Sequence, residues 1–362
     1  MNRKRFLNIA ASVGATSLIH KTTLQASDSS PASPVQRVLM HVGTQRGSVR
    51  LNHPDARKFL QFFKRHAVNH ICGFPPPEEW STEKLAALRE LVESNGVSLD
   101  MVDMPLGRTR MNPIMMGRSP DRDIEKTVEL IRNCAAVGIP SIKYYLSLLP
   151  ILSTSVTVGR GGSRSRTWKL TEYRAADEIT EAGRVPAALM WERITYFLER
   201  VIPVAEEYKI RMACHPHDVP TPPDFHGIEQ VLGTPEGLKT FVSIRESPYH
   251  GLNLCLGTTA EMLQNPRAEI FDIIRYFGQR KKIFNIHFRN IRGGRNNFQE
   301  VFPDEGDMDM FQVAVTLKEA GYPYMLMPDH IPSHPDDPET LQGFAYAYGY
   351  ITGILQAVAA SS

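Results

Sequence analysis

Eight short β-rich runs alternate along this chain with stretches of amphipathic helical pattern. Strands that are separated by helices pair in parallel through right-handed crossovers, and eight such units predict a closed barrel. We therefore expect an α/β fold, a (β/α)8 TIM barrel that forms a single domain over residues 38–362, with a doubly wound open sheet as the second choice. The predicted strands are residues 38–45, 70–74, 99–104, 141–147, 210–216, 251–258, 283–290 and 324–330. The predicted helices are residues 81–94, 121–136, 186–208, 266–277, 308–320 and 341–359.

Charge and motif content disfavour two classes of function. The formal net charge is only +2, and no dense basic run is interleaved with aromatic residues, so we expect no nucleic acid partner. A dinucleotide fold is disfavoured because HVGTQRGS, in and after the first strand, lacks the GxGxxG spacing. The basic segment RGGSRSRTWK (160–169) is interpreted as an active-site loop or a solvated surface. It lies in the longest irregular stretch, residues 148–185, which we expect to cover the barrel mouth.

The N-terminus has the pattern of an export signal. A basic RKR run is followed by a small-residue apolar stretch over residues 9–19, too short to span a bilayer, and then by LQA as a cleavage point. The sequence NRKRFLN resembles a twin-arginine signal in which Lys4 replaces the second arginine. We expect an export signal over residues 1–26, a linker over 27–37 and a periplasmic protein with no stable membrane insertion. The alternative is a disordered basic N-terminus, and the protein would be cytoplasmic if the leader does not function.

The four cysteines are interpreted as thiols, one of them functional. Exported proteins often contain disulfides, but these cysteines are widely spaced, and a chain of this length builds its core without cross-links. They are Cys72, Cys134, Cys214 and Cys255.

Strands five to eight each end in a potential metal ligand. Taken singly, a histidine near a strand end is more often structural, a cysteine in a strand is more often a small buried apolar residue, and an aspartate before a helix is more often an N-cap. Their coincidence at four adjacent strand ends, where barrel enzymes place catalytic groups, favours a divalent transition metal over Mg²⁺ or Ca²⁺. Ligand chemistry alone leaves Zn²⁺, Mn²⁺ and Fe²⁺ open. The candidate ligands are His215, Cys255, His287 and Asp329.

The neighbours of these ligands are candidates for substrate contact and proton transfer. Arg289 could bind a carboxylate through two hydrogen bonds or form a salt bridge inside the barrel mouth. The acidic run 300–307 is interpreted as mostly a solvated loop. Tyr346 and Tyr350 share a face of the final helix and could pack there, or one of them could donate a proton. The other neighbours are His217, Asp218, Asn290 and His330.

Five motifs give the chain a resemblance to the mannonate dehydratase family, from about residue 38 to the C-terminus. They are MACHPHDVP (212–220), GLNLCLGT (251–258), NIHFRNIR (285–292), FQEVFPDEGDMDM (298–310) and LMPDHIP (326–332). The resemblance implies a TIM-barrel hydro-lyase that binds Mn²⁺ or Fe²⁺ and dehydrates D-mannonate to 2-keto-3-deoxy-D-gluconate.

Residue by residue, the resemblance assigns the metal to the same four candidate ligands and an acid/base role to His330. It also implies a catalytic tyrosine after this motif, for which Tyr346 is the best choice. The neighbouring residues 217, 218, 289 and 290 would contact the substrate.

Two departures from the family concern substrate selection. The family's first ligand motif usually has the sequence HPDDPP, whereas this chain has His217 and Val219 in it, and the loop after strand four also differs. The sugar acid that binds is therefore left open, and so is assembly into a homo-oligomer. The alternatives are a xylose-isomerase-like isomerase or epimerase, which would need glutamates at strand ends, and a non-catalytic barrel that binds sugar acids.

Overall fold

In a computed structural model of the chain, the structure describes residues 38–105, 112–173 and 178–361. The described residues all fall within one compact unit. The export signal and linker predicted over residues 1–37 lie outside the described residues and stay predictions. Within the described ranges, no helix combines the length and the apolar character needed to cross a bilayer.

The strands and helices of the described residues are numbered in chain order. The strands are β1 (His41–Gln45), β2 (His70–Gly73), β3 (Ser98–Asp103), β4 (Ser141–Tyr145), β5 (Ser155–Val158), β6 (Arg164–Lys169), β7 (Arg211–His215), β8 (His250–Cys255), β9 (Ile283–His287), β10 (Ile291–Gly294), β11 (Asn297–Glu300) and β12 (Met325–Met327). The helices are α1 (Ala56–Arg65), α2 (Thr82–Glu93), α3 (Pro113–Met116), α4 (Pro120–Val137), α5 (Ala187–Tyr208), α6 (Pro235–Ile244), α7 (Leu256–Glu261), α8 (Pro266–Gln279), α9 (Met310–Glu319) and α10 (Leu341–Ala360). Short 3-10 turns lie at Pro77–Glu79, Arg160–Gly162 and Leu170–Glu172.

Eight of the strands form a closed parallel barrel, which confirms the predicted TIM-barrel fold. Their order around the barrel is β1, β2, β3, β4, β7, β8, β9 and β12, and β12 closes the circle by pairing with β1. Every neighbouring pair is parallel, as expected for strands joined by helical crossovers. All eight strands therefore point their C-terminal ends at the same mouth.

Helix boundaries follow the chemistry of the residues that flank them. The side chain of Ser81 accepts a hydrogen bond from Lys84 N and caps α2, and Gly138 ends α4 in the left-handed conformation. Along α2 the buried face consists of Leu85, Leu88 and Val92. Burial of an aliphatic side chain of this size contributes about 1.5–3 kcal/mol, so this stripe holds the helix against the barrel wall.

A second, four-stranded antiparallel sheet lies at the C-terminal end of the barrel. Its order is β10, β11, β6 and β5. Because β10 follows the end of β9, and β5 and β6 follow the end of β4, the sheet lies on the side where the barrel strands end. The prediction that residues 148–185 are irregular is therefore wrong for β5 and β6. β5 has the β-branched sequence SVTV, which favours a strand, whereas β6, with the sequence RSRTWK, gains long-range pairs with β11.

The end of the sixth barrel strand also departs from the prediction. Residues 251–258 were expected to be one strand, but the chain leaves the sheet at Cys255 and starts α7 at Leu256. The Cys255 side chain accepts a hydrogen bond from the backbone N–H of Thr258 and so caps this helix. The strand is shortened because its last side chain begins a helix, which orients the thiol at the mouth.

Candidate metal centre and active site

Four potential metal ligands converge at the C-terminal mouth of the barrel. His215, Cys255 and His287 are the last residues of β7, β8 and β9, and Asp329 lies two residues beyond β12. One donor atom from each of the four lies within 4.8 Å of the others. The structure thus brings together the four residues that the sequence pattern selected.

The hydrogen bonding of the two histidines leaves ring nitrogens available to bind a metal. His215 Nδ1 lies 2.7 Å from the carbonyl oxygen of Pro216; a proton donated there leaves the Nε2 lone pair available. Among the described residues, neither ring nitrogen of the buried His287 has a hydrogen-bond partner, although its Nδ1 atom lies 3.3 Å from Asp329 Oδ2. A buried imidazole with no partner for either nitrogen is unusual in a folded protein, and a bound cation would satisfy it.

The Cys255 thiol needs a positive charge beside it to ionise. Burial raises its pKa to about 12, although the guanidinium of Arg289, with Nη2 3.4 Å from Sγ, acts in the opposite direction. A divalent cation held by the four side chains would supply the missing charge, as metals do for coordinating thiols. The donor set therefore fits a divalent transition metal.

The other ligands have the protonation states that a metal requires. Burial lowers the pKa of His287 to about 4, so the imidazole is neutral at pH 7. Burial tends to raise the pKa of Asp329, but its contacts with His287 and with the charge of His330 outweigh burial and hold that pKa well below its usual value. A neutral imidazole and an ionised carboxylate are the forms that bind metals.

Three buried polar residues of the barrel interior orient the Asp329 carboxylate. Gln45 Nε2 donates a hydrogen bond of 2.8 Å to Asp329 Oδ1, and Gln45 Oε1 in turn accepts one from Lys143. The Lys143 ammonium lies 3.2 Å from Asp103 Oδ1. Sequence reasoning did not find this chain of contacts, because a single polar residue inside a strand has no local signal of its distant partner.

His330 lies beside the ligands with its ring held by a buried carboxylate. Its Nδ1 atom lies 2.7 Å from Glu300 Oε1, and its Nε2 atom lies 3.8 Å from Asp329 Oδ2. Burial tends to lower the pKa of His330, but Asp329 and Glu300 outweigh it and raise the pKa above its usual value. Donation from Nδ1 to Glu300 leaves Nε2 for proton exchange on the side of the ligands.

Glu300 is the functional residue that sequence reasoning missed most clearly. It is the last residue of β11 and is only 5% exposed, so the interpretation of 300–307 as a solvated loop is wrong at this position. Arg166 in β6 donates to Glu300 at 2.6 Å and to Asp218 at 3.2 Å. Of the two interpretations of the basic segment 160–169, Arg166 therefore favours the active-site loop. The pairing of β6 with β11 brings these residues together.

Arg289 lies at the base of the site with a fully buried side chain. Its Nη1 atom donates to Glu300, and its Nη2 atom donates to Asp218 at 2.9 Å and to Glu261 at 3.0 Å. A Cβ atom at Gly257 would lie 2.1 Å from Arg289 Nε, so only glycine leaves room for this guanidinium. The arrangement is the salt bridge inside the barrel mouth, one of the two interpretations made from the sequence.

A cavity in the form of a cleft that is open to solvent lies beside the candidate ligands. His215, Asp218, Asp329 and His330 line one side, and residues between Tyr145 and Ile151 line the other. The Tyr145 ring lies 4.9 Å from the His215 ring, measured between centroids. Its position as the last residue of β4, on the rim where barrel enzymes carry functional groups, was the signal that could have found it.

Besides Arg289, three residues that were predicted to contact the substrate or to transfer protons lie outside the lining of this cavity. His217 is buried with Nε2 3.2 Å from the carbonyl oxygen of Leu146. Asn290 donates to the carbonyl oxygens of Pro303 and Met308 and so orders the loop after β11. Tyr346 is 43% exposed and lines a separate surface cavity with Arg160, Phe302 and His334. The structure therefore does not bring Tyr346 to the metal ligands, because its position on α10 directs the ring towards Phe302.

A sequence model of the D-mannonate dehydratase (UxuA) family matches residues 169–361 of this chain. The chain belongs to the D-mannonate dehydratase family. The matched region contains all four candidate metal ligands, His330, Arg289 and Glu300. A related protein, a mannonate dehydratase from Thermotoga neapolitana, is 27% identical to this chain over 301 residues. The alignment covers 73% of this chain and 81% of that protein.

Solved structures agree with the barrel architecture. The crystal structure of mannonate dehydratase from Streptococcus suis serotype 2 superposes with a TM-score of 0.71 at 22% identity, over 89% of this chain and 95% of that one. A xylose isomerase domain protein from Planctomyces limnophilus superposes with a TM-score of 0.56 at 14% identity, over 89% of this chain and 98% of that one. At these identities the superpositions show a shared fold.

Proposed function

We propose that this chain is a hydro-lyase that dehydrates D-mannonate to 2-keto-3-deoxy-D-gluconate and water, with one divalent transition metal at the C-terminal mouth. The observation that carries the proposal is the convergence of His215, Cys255, His287 and Asp329 beside a histidine that is paired with a buried carboxylate. Membership of the D-mannonate dehydratase family supports the choice of reaction.

The metal's contribution is electrostatic. Removal of the C2 proton places a second negative charge next to the substrate carboxylate, and a bound divalent ion supplies the Lewis acid that stabilises this charge. Two imidazoles, one thiolate and one carboxylate would hold the ion. We propose Mn²⁺ or Fe²⁺ from the family resemblance, because the ligand set alone also suits Zn²⁺.

His330 is proposed to hold and move a proton at Nε2. Dehydration takes a proton from C2 and releases the C3 hydroxyl as water, so the site must accept one proton and deliver one. Donation from His330 Nδ1 to Glu300 fixes the ring, and Asp329 and Glu300 raise the pKa of His330, which favours the protonated ring that can deliver a proton. The enol that remains then tautomerises to the 2-keto-3-deoxy acid.

The groups that bind the acid are proposed from the cavity wall. Asp218 and Tyr145 line the cavity and would contact substrate hydroxyl groups. Leu149 and Ile151, from the loop after β4, form an apolar part of the wall and would limit the configurations accepted. Arg289 and Arg166 neutralise Asp218 and Glu300 from below, which lowers the repulsion that an anionic substrate would meet.

The test is a substrate panel. The full chain is freed of metal with a chelator, reloaded with Mn²⁺, Fe²⁺ or Zn²⁺, and incubated with hexonates of several configurations and with aldoses. We expect a 2-keto-3-deoxy acid from D-mannonate with Mn²⁺ or Fe²⁺, and no product from the metal-free protein. The matched control is His330→Asn, which keeps all four ligands.

Other outcomes of the panel would replace the proposal. Formation of a ketose from an aldose would indicate an isomerase. Tight binding of a hexonate without product, with every metal, would indicate a non-catalytic sugar-acid-binding protein. Turnover of a different hexonate would keep the reaction and change the substrate.

A further inference from the structure

A second cluster of metal-binding side chains lies at the opposite end of the barrel. His41 and His70 are the first residues of β1 and β2, and Asp100 lies near the start of β3. The last residue of β1, Gln45, bonds Asp329 at the C-terminal mouth, so the cluster and the candidate metal centre lie at opposite ends of the same strands. A five-residue strand spans about 13–17 Å, which makes the two sites separate.

The three donor atoms of this cluster converge on one point. His70 Nδ1 lies 2.8 Å from Asp100 Oδ2, and His41 Nε2 lies 3.5 Å from the same oxygen. The imidazole rings lie 3.8 Å apart between centroids, and one donor atom from each residue lies within 4.8 Å of the others. In a tetrahedral site with metal–ligand bonds of about 2.0–2.1 Å, ligand atoms are separated by roughly 3.3 Å. The two distances to Asp100 Oδ2 therefore lie within about half an ångström of this separation.

Contacts outside the cluster orient two of its ligands. His41 Nδ1 lies 3.4 Å from the carbonyl oxygen of Leu39, and donation there places the free lone pair on Nε2, the atom that faces Asp100. Ser98 Oγ donates a hydrogen bond of 2.5 Å to Asp100 Oδ1, which leaves Oδ2 towards the two histidines. Carbonyl and hydroxyl partners of this kind are typical of the residues that hold metal ligands in place.

A simple histidine–aspartate hydrogen bond does not explain the whole cluster. It accounts for His70, but His41 Nε2 is directed at the same Asp100 oxygen from 3.5 Å, which is long for a hydrogen bond, and within the described ranges no other polar atom satisfies it. Among the described residues, no lysine or arginine lies within 4.0 Å of the Asp100 carboxylate, so no fixed cation competes for it. The cluster has a negative charge and two imidazole nitrogens directed at one space.

We propose that His41, His70 and Asp100 form a second site for a divalent transition ion, distinct from the candidate metal centre. Two nitrogens and one carboxylate oxygen suit Zn²⁺, Co²⁺ or Ni²⁺ better than Mg²⁺ or Ca²⁺. The three side chains are 28%, 33% and 25% exposed, so water completes the coordination. The ion would link the starts of three consecutive strands and stabilise the barrel at the end away from the cavity.

The test measures the number of bound metal ions in the unchanged protein and in two variants, each of which lacks one ligand of one site. Metal-free full chain is dialysed against Zn²⁺, and bound zinc per chain is measured by elemental analysis. We expect two ions in the unchanged protein, one in His41→Gln and one in Asp329→Asn. His41→Gln keeps the hydrogen bond between His70 and Asp100, so it removes a ligand with little effect on folding. The matched control is His66→Gln, a half-buried histidine outside both clusters, which should bind two ions.

The absorption spectrum of bound Co²⁺ shows which of the two sites has lost its ion. Co²⁺ bound to a thiolate has a charge-transfer absorption that only the Cys255 site can give, and this band should be unchanged in His41→Gln. Loss of the ligand should weaken the second site by more than the ~10–100-fold typical of losing an outer partner. One zinc ion in the unchanged protein, or equal counts in His41→Gln and the unchanged protein, would overturn the proposal. Neither readout depends on catalytic activity.

Discussion

The two ends of this barrel use the same residue types in opposite surroundings. At the C-terminal mouth the four ligands are largely buried and adjoin a network of two arginines and several carboxylates. Within the described ranges, His41, His70 and Asp100 at the N-terminal end are partly exposed, and their outer partners are a hydroxyl and a carbonyl. Burial strengthens electrostatic interactions and shifts pKa values, so we expect chemistry at the first end and simple ion binding at the second.

The largest effect is expected from Asp329→Asn. Loss of this carboxylate removes one of four ligands and the negative charge that faces the cation, so dehydration should fall to background. Turnover and metal content measured on the same sample, loaded with Mn²⁺ or Fe²⁺, check this. Catalysis that survives in a variant lacking the C-terminal ion would contradict the assignment of chemistry to that end.

The next largest effect is expected from His330→Asn. Removal of the proton-exchanging ring should lower kcat by about 10²–10⁴-fold, whereas both metal sites should stay filled, because all ligands remain. Steady-state kinetics and elemental analysis test the two halves separately. An active His330→Asn enzyme would remove the acid/base role from this residue.

His250 is the first residue of β8, at the N-terminal end of the barrel, and we expect it to make the stability of the protein depend on pH. It is fully buried, and its Nε2 atom bonds the carbonyl oxygen of Phe241 at 2.9 Å. Burial lowers its pKa to about 4, so between pH 6.5 and 4 the unfolded chain binds a proton that the folded chain excludes. Stability should therefore fall as pH decreases through this window, by roughly 3 kcal/mol from this group.

His250→Gln should remove that part of the pH dependence. Glutamine can still donate to the Phe241 carbonyl oxygen but does not titrate. Free energies of unfolding from urea titrations at pH 7 and pH 4.5 give the comparison. An equal loss of stability in both proteins would show that this histidine is not responsible.

The smallest effects are expected from two tyrosines. Tyr145→Phe should reduce kcat/KM by about fivefold, the value of one hydrogen bond of ~1 kcal/mol to a bound hydroxyl. Tyr346→Phe should leave kcat/KM within about twofold, because this ring lies in a separate cavity. If Tyr346→Phe instead lowered kcat/KM more than Tyr145→Phe, the result would support the catalytic role of Tyr346 that the family resemblance predicts.

The sequence predicted the barrel and its four ligands for a physical reason. Strand–helix alternation is a local pattern, and the C-terminal ends of parallel strands meet at one mouth, so residues that are far apart in sequence can be grouped without coordinates. His215, Cys255, His287 and Asp329 needed only this rule.

The supporting network could not be predicted in the same way. Gln45 and Asp329 are 284 residues apart, and Arg166 and Glu300 are 134 apart. Each is a single polar residue with no local pattern, and Glu300 lies in an acidic run whose other members favour a solvated loop. Pairing between β6 and β11 determines these contacts, and pairing of short antiparallel strands depends on tertiary context.

The double role of Cys255, as helix cap and as metal ligand, bears on how this family could diversify. Its sulfur accepts from Thr258 N at the start of α7 while facing the ion site. An aspartate at this position would serve both roles with oxygen, whereas a histidine would bind metal but leave the helix uncapped. A substitution of Cys255 by aspartate would therefore make the donor set richer in oxygen and change the preferred ion without rebuilding the barrel.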